Sequence, residues 1–269
     1  MTATEDPGPS RDRLGGWLAD FTVAVSFLTR FRPPGALTAS DLVPGRLAGA
    51  VRAFPLVGAG VGLAGGIVYA LAYWLGLPPV AAALCALTAT ALATGALHED
   101  GLADAADGLG GGKTAEDRLR IMRDSHIGAF GVLALIFSVG LRAAALATLG
   151  TPWLAAAALI ASGAGSRALL GLVMRRLDPA RTDGLAADAG RPSEEGALTS
   201  AAIGGAFALL FLGLGTGIVA AAAAAVAVTA VGHCARRGIG GYTGDVLGAA
   251  QQAAEVAILL AAAAALGSA

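Results

Sequence analysis

Long apolar runs constrain this chain more than any other feature. Phe54 to Gly76, Pro78 to Leu97, Ala129 to Leu149, Trp153 to Met174 and Val246 to Leu266 each approach the roughly 20 residues that a helix needs to cross a bilayer. Ala197 to His233 is too long for one untilted helix, and Gly213, Gly215 and Gly217 mark a turn that divides it into two short spans. The expectation is an all-α, polytopic membrane bundle of about seven spans, within a range of six to eight. Trp17 to Phe31 is the uncertain member, because it is short and carries Asp20. It would lie in the interface, enter partway, or cross with help from its neighbours. Residues 1–16 read as a disordered polar tail without a signal-peptide layout, and 17–269 as a single transmembrane domain.

Composition agrees. Hydrophobic residues make up 56% of the chain and charged residues only 14%, against about 25% charged in soluble domains. Mean hydropathy is +0.70. The lipid bilayer is therefore the chain's main surroundings. No interleaving of aromatic and basic residues points to nucleic acid. Cys85 and Cys234 have neither metal-ligand spacing nor a disulfide framework.

Charge is distributed one-sidedly. Arg46, Arg52, Lys113, Arg118, Arg120, Arg123, Arg175, Arg176, Arg181, Arg191, Arg236 and Arg237 fall in alternate loops, while the loops near Pro78, Gly150 and Gly215 are uncharged. By the positive-inside rule the charged loops face the cytoplasm. Polar chemistry gathered on one face suits an enzyme with cytoplasmic substrates better than a transporter, whose sites usually sit near the midplane.

The stretch from His98 to Lys113 carries the chemistry. It places Glu99, Asp100, Asp104 and Asp107 within ten residues. On a helix continued from the preceding span, Asp100, Asp104 and Asp107 share one face within roughly 60°. Like charges at that spacing repel, and a divalent cation converts repulsion into ligation. Mg²⁺ suits carboxylates, water and substrate phosphates. A solvated acidic helix end is the ordinary alternative. Gly108 to Gly112 follow, able to expose N–H groups to phosphate or to act as a flexible linker.

The rest of this polar loop, 98–127, holds Arg120 and Arg123 three residues apart, which can share a helix face toward phosphate or simply pair with Glu116. Asp124, Ser125 and His126 follow, with Ser125 placed to cap the next helix. The last charged loop holds Arg237, Thr243 and Asp245. Asp245 either completes the metal site or stabilises the N-terminus of the final span. Glu255 lies about 15 Å further along that helix, and an intramembrane carboxylate is a functional candidate. Arg167 is expected to pair with it, and Arg142 to snorkel outward on the opposite side. Gly112-Lys113-Thr114 fails as a P-loop because Asp107 stands where glycine is required. Asp183-Gly-Leu-Ala-Ala-Asp188 faintly echoes Asp100-Gly-Leu-Ala-Asp104 and is read as coincidence.

These segments together resemble the cobalamin synthase family, the adenosylcobinamide-GDP ribazoletransferases. The resemblance rests on Phe27-Leu-Thr-Arg30, Phe54-Pro-Leu-Val-Gly58, the run from His98 to Gly108, the run from Arg118 to Gly131, Gly240-Gly-Tyr-Thr-Gly-Asp-Val-Leu-Gly-Ala249 and Glu255. Glu99 departs from the apolar residue expected there. The resemblance implies a late step of cobalamin biosynthesis at the cytoplasmic membrane. Adenosylcobinamide-GDP is joined to α-ribazole or its 5′-phosphate with Mg²⁺, and GMP is released. In that reading Asp100, Asp104 and Asp107 bind metal with Asp245 as a fourth ligand. Glu99 or Asp124 takes the hydroxyl proton. Arg120, Arg123, Arg237, Lys113, Ser125, His126 and Thr243 form the phosphate- and substrate-binding set. Homo-oligomers, or association with other cobalamin-pathway enzymes, are the expected partnerships. A CDP-alcohol-type phosphotransferase is the alternative, and a small-solute transporter fits less well.

Overall fold

The computed structural model describes residues 9–32 and 45–267. Residues 1–8 of the expected tail, and residues 33–44, lie outside them. Helix α1 (Pro9–Leu28) starts within the stretch read as tail. The residues just before Phe54, expected as loop, are helical. Helix α2 (Arg46–Ala50) passes through a 3₁₀ turn, Val51–Ala53, into α3 (Phe54–Trp74). A charge is tolerated there because Arg52 donates to Asp20 at 2.6 Å and lies 4.3 Å over the Trp17 ring. Pro55 falls in the first turn of α3, where a missing N–H costs nothing.

After an uncharged tip comes α4 (Pro79–Thr94), then α5 (Leu97–Gly111) and α6 (Ala115–Ile121). The acidic stretch is thus a helix of its own, not a loop. Helices α7 (Ala129–Thr148), α8 (Pro152–Ala168), α9 (Leu170–Arg176) and α10 (Leu185–Asp188) follow. The chain ends with α11 (Glu194–Leu212), α12 (Leu214–Ile239) and α13 (Gly244–Leu266). The expected break in the 197–233 run occurs at Gly213, whose φ of +77° favours glycine.

Among the described residues, six segments are long and apolar enough to cross a membrane: residues 46–74, 129–148, 152–176, 194–212, 214–239 and 244–266. Counted as one span, the α4–α5 pair, bent by 91°, makes a seventh. No β-strand occurs among the described residues.

Packing relies on small residues, which let helix backbones approach closely in lipid. A methyl group on Gly58 would stand 2.0 Å from the Gly163 carbonyl oxygen, and one on Gly62 2.1 Å from that of Leu159. This contact of α3 with α8 is a fixed spine. The buried core around it includes Tyr69, Leu146, Leu159, Ile258 and Leu259.

Candidate active site

The site begins with the turn between α4 and α5. Gly95 at φ +67° and Ala96 at φ +57° both adopt the left-handed conformation, which an alanine does not favour. The turn bends the chain by 91° and lays α5 against α13 and α7. At its deep end Glu99 meets the middle of α13. Further out, Gly101 crosses the first turns of α13. A Cβ on Gly248 would lie 3.0 Å from the Gly101 Cα, and one on Gly101 would lie 3.1 Å from the Asp245 Cα. Two glycines in contact thus bring the backbone carrying Asp100 against the backbone carrying Asp245.

Asp245 is oriented by its own loop. Thr243, 2% exposed, donates to Asp245 Oδ2 at 3.0 Å and accepts from the Val246 N–H at 3.3 Å. It therefore caps α13 while fixing the carboxylate. The same loop pairs with the 178–180 segment: the Ala180 N–H donates to the Tyr242 carbonyl at 2.8 Å and the Tyr242 N–H to that of Asp178 at 2.9 Å. This pairing sets Arg181 near Asp245 and Asp104. Arg181 donates to the Leu119 carbonyl at 2.8 Å, and its buried Nε has no partner among the described residues. Burial weighs against the Arg181 charge, and Asp245 supports it.

These groups face a cleft of about 250 Å³. Asp100, His98, Arg181, Asp183 and Asp245 form its polar wall, and Phe27, Leu47, Phe54, Leu170 and Met174 its apolar wall. His98 is 3% exposed and its Nε2 has no partner among the described residues. Asp104, one turn beyond Asp100, shares its surroundings with Asp100, Asp245 and Asp107, opposed by Arg181. The cleft is therefore acidic, holds one half-buried arginine, and is apolar on its far side. An anionic, partly apolar substrate with a counter-cation has that complementary chemistry.

The sequence matches the cobalamin-5-phosphate synthase family over residues 20–263. The chain belongs to that family. It is 47% identical to the adenosylcobinamide-GDP ribazoletransferase of Bradyrhizobium diazoefficiens, over 95% of this chain and 97% of the relative. It is 46% identical to the one from Mesorhizobium japonicum, over 93% and 95%. It is 42% identical to that of Ralstonia nicotianae, over 88% and 92%. No solved structure matches the chain.

In this cobalamin-5-phosphate synthase family member the acidic residues separate into different roles. Asp107 points to α7: its carboxylate accepts from the Gly128 N–H at 2.7 Å and the Gly131 N–H at 2.9 Å. A negative charge at a helix N-terminus is favourable, and Asp107 rather than Ser125 caps α7. Glu99 faces away from the cleft. It lies 3.4 Å from Arg142 and accepts from Gln252 at 3.0 Å. Arg142 does not snorkel. It is 2% exposed and also pairs with Glu255 at 3.2 Å. The expected Arg167–Glu255 pair is present at 3.7 Å. Gln252 accepts from Ser138 at 2.8 Å, and Gln251 donates to Ser166 at 3.0 Å. Two arginines and two glutamates thus form a neutral buried network joining α5, α7, α8 and α13. An inward partner is cheaper for Arg142 than exposure to hydrocarbon, which sequence position alone does not reveal.

The other candidates lie mostly outside the cleft. Arg120 is exposed beside Asp117 at 3.5 Å, not Glu116. Arg123 reaches Asp183 at 2.5 Å, at the cleft rim. His126 is 2.6 Å from Asp124, and its ring and backbone hydrogen bonds hold the exposed Asp124 carboxyl below the usual range. Lys113, Ser125 and Arg237 are exposed and do not line the cleft. Sequence reasoning missed His98, Arg181 and Asp183 as cleft residues. The dismissed echo Asp183-Gly-Leu-Ala was the available signal, since Asp183, Gly184 and Ala186 all line the cleft.

Among the described residues, no three His, Cys, Asp or Glu side chains stand close enough to hold a metal ion by themselves. The donor chemistry nevertheless fits Mg²⁺. Asp100 and Asp104 accept no side-chain hydrogen bond among the described residues, their neighbours are like-charged, and all their donors are hard oxygens. Mg²⁺ commonly takes only one or two protein carboxylates and fills its shell with water and substrate phosphates.

Proposed function

We propose that this chain joins adenosylcobinamide-GDP to α-ribazole or its 5′-phosphate at the cytoplasmic membrane, its cleft open to the cytoplasm. The carrying observation is the cleft itself, with unpaired carboxylates and a half-buried arginine facing an apolar wall, in a chain whose close relatives bear that enzyme's name. The one-sided distribution of charge supports the orientation.

The chemistry transfers a phosphoryl group. A ribose hydroxyl oxygen of α-ribazole attacks the phosphorus bonded to the corrinoid side chain. The bond from that phosphorus to the bridging oxygen breaks, and GMP leaves with that oxygen. The hydroxyl proton departs to a carboxylate. Glu99 and Asp124 are poorly suited to accept it, one being bound to Arg142 and the other to His126. Asp100 and Asp104 are better suited. One or two carboxylates of the set Asp100, Asp104 and Asp245 would hold Mg²⁺, with water and substrate phosphate completing its shell; when bound it would neutralise pyrophosphate charge and favour the leaving group. Arg181 would grip a phosphate oxygen, and Arg123 would do so from the rim once released from Asp183. The Phe27, Phe54 and Met174 wall would exclude water and carry the apolar parts of the substrates.

The test is GMP release and corrinoid product, measured together on protein in lipid vesicles with and without Mg²⁺. Product that requires Mg²⁺ and falls at least a hundredfold in Asp100→Asn supports the reading. Equal turnover by Asp100→Asn, or turnover of CDP-alcohols instead, would refute it.

A further inference from the structure

A second recess lies outside the active cleft, on the membrane-facing side of the bundle. It is a groove of about 240 Å³ between α9 and α12. Leu172, Val173 and Leu177 form one wall, and Val228 and Thr229 the other. These positions follow helical spacing, so each helix gives one continuous face. The floor is low at Gly232, where an added Cβ would meet only Leu177 Cδ1, at 3.6 Å. Elsewhere on α12, Leu214, Ile218, Val219 and Val226 are exposed, as expected for a helix that borders lipid.

The groove ends in positive charge. Arg176 closes α9, and His233 and Arg236 sit in the last two turns of α12, all lining the groove at the charged-loop end. Cations at helix C-termini are stabilised by the helix dipole, so their presence alone assigns nothing. Their pairing is more informative. The neighbouring Arg175 is tied into the protein by Glu194 at 2.9 Å and the Pro192 carbonyl at 3.2 Å. Arg176 and Arg236 have no carboxylate partner among the described residues. Two uncompensated guanidinium groups thus stand at the charged-loop end of an apolar groove between two segments of membrane-crossing length and apolarity.

We propose that this groove binds one anionic phospholipid, its acyl chain along Leu172, Val173 and Val228 and its headgroup phosphate between Arg176 and Arg236. Arginine matches phosphate with paired N–H donors, and the groove places those donors at headgroup depth. This site is separate from the active cleft and does not depend on the reaction assigned to it.

Native mass spectrometry of the full chain, released from detergent after exchange with phosphatidylglycerol or phosphatidylcholine, tests the proposal. One phosphatidylglycerol should stay bound where phosphatidylcholine is stripped. Arg176→Gln with Arg236→Gln should reduce that preference by about thirty-fold, the effect of two charges near the surface. Gly232→Leu should displace the lipid with both arginines intact. Arg237→Gln, a neighbouring charge outside the groove, should leave the preference unchanged. The proposal is overturned if the unaltered chain shows no preference, or if the double variant keeps it within threefold. It is equally overturned if Gly232→Leu retains the lipid, or if Arg237→Gln loses as much preference as the double variant.

Discussion

Replacing Arg142 by methionine tests whether the buried charge network holds the site together. Arg142 lies between Glu255 at 3.2 Å and Glu99 at 3.4 Å, and it is 2% exposed. Its removal turns two arginines and two glutamates into one arginine and two glutamates. Glu255 keeps Arg167 at 3.7 Å, whereas Glu99 keeps only the Gln252 amide at 3.0 Å. One buried carboxylate is then uncompensated, and breaking such a pair costs about 3–5 kcal/mol. Unfolding in mixed micelles, followed by tryptophan fluorescence, measures that loss. Arg142→Met combined with Glu99→Gln restores neutrality and should recover most of the stability lost in Arg142→Met. An Arg142→Met protein within about 1 kcal/mol of the unaltered chain, or a double variant no more stable than Arg142→Met, would refute the reasoning.

Three further outcomes follow from the geometry. Asp107→Asn should cost about 1–2 kcal/mol by weakening the cap of α7, and the folded fraction should keep Mg²⁺-dependent turnover; turnover lost with stability unchanged would make Asp107 a site residue instead. Gly248→Ala would place its Cβ 3.0 Å from the Gly101 Cα and push α5 from α13, so turnover should fall by about tenfold to a hundredfold with membrane insertion unchanged in fractionation. Arg181→Ala should weaken the diphosphate substrate by about 1.5–3 kcal/mol, the usual worth of a charged hydrogen bond, read as raised KM for adenosylcobinamide-GDP, with KM for α-ribazole nearly unchanged.

Much of the bundle was legible because lipid imposes simple rules. Apolar length located the spans, and Gly213 marked the break between α11 and α12. The one-sided charges located the chemical face. What escaped depended on partners distant in sequence. The turn at Gly95 and Ala96 lies in an apolar run where Gly95 is the lone stop signal and Leu97 continues the apolar pattern, so the acidic stretch looked like the end of a span followed by a loop. Asp107 and Asp100 look equivalent by helical spacing, yet the amides that claim Asp107 are 21 and 24 residues away. Glu99 looked free to take the hydroxyl proton because Arg142, 43 residues on, was expected to turn outward. Arg181 and Asp183 occupy a segment without periodicity, and only the pairing of two loops carries them to the cleft.

The contacts of α13 also bear on how the chain is made. This helix is synthesised after α1–α12, and it supplies Asp245, Gln251, Gln252 and Glu255. Until it emerges from the ribosome, Glu99 and Arg142 have only each other, and α5 has no glycine-lined partner for Gly101. The earlier helices can enter the membrane as a nascent scaffold, but the acidic helix has no settled position in it. The site proposed above is therefore complete only once α13 is in place, so a ribosome stalled before that helix would leave an inserted but inactive precursor.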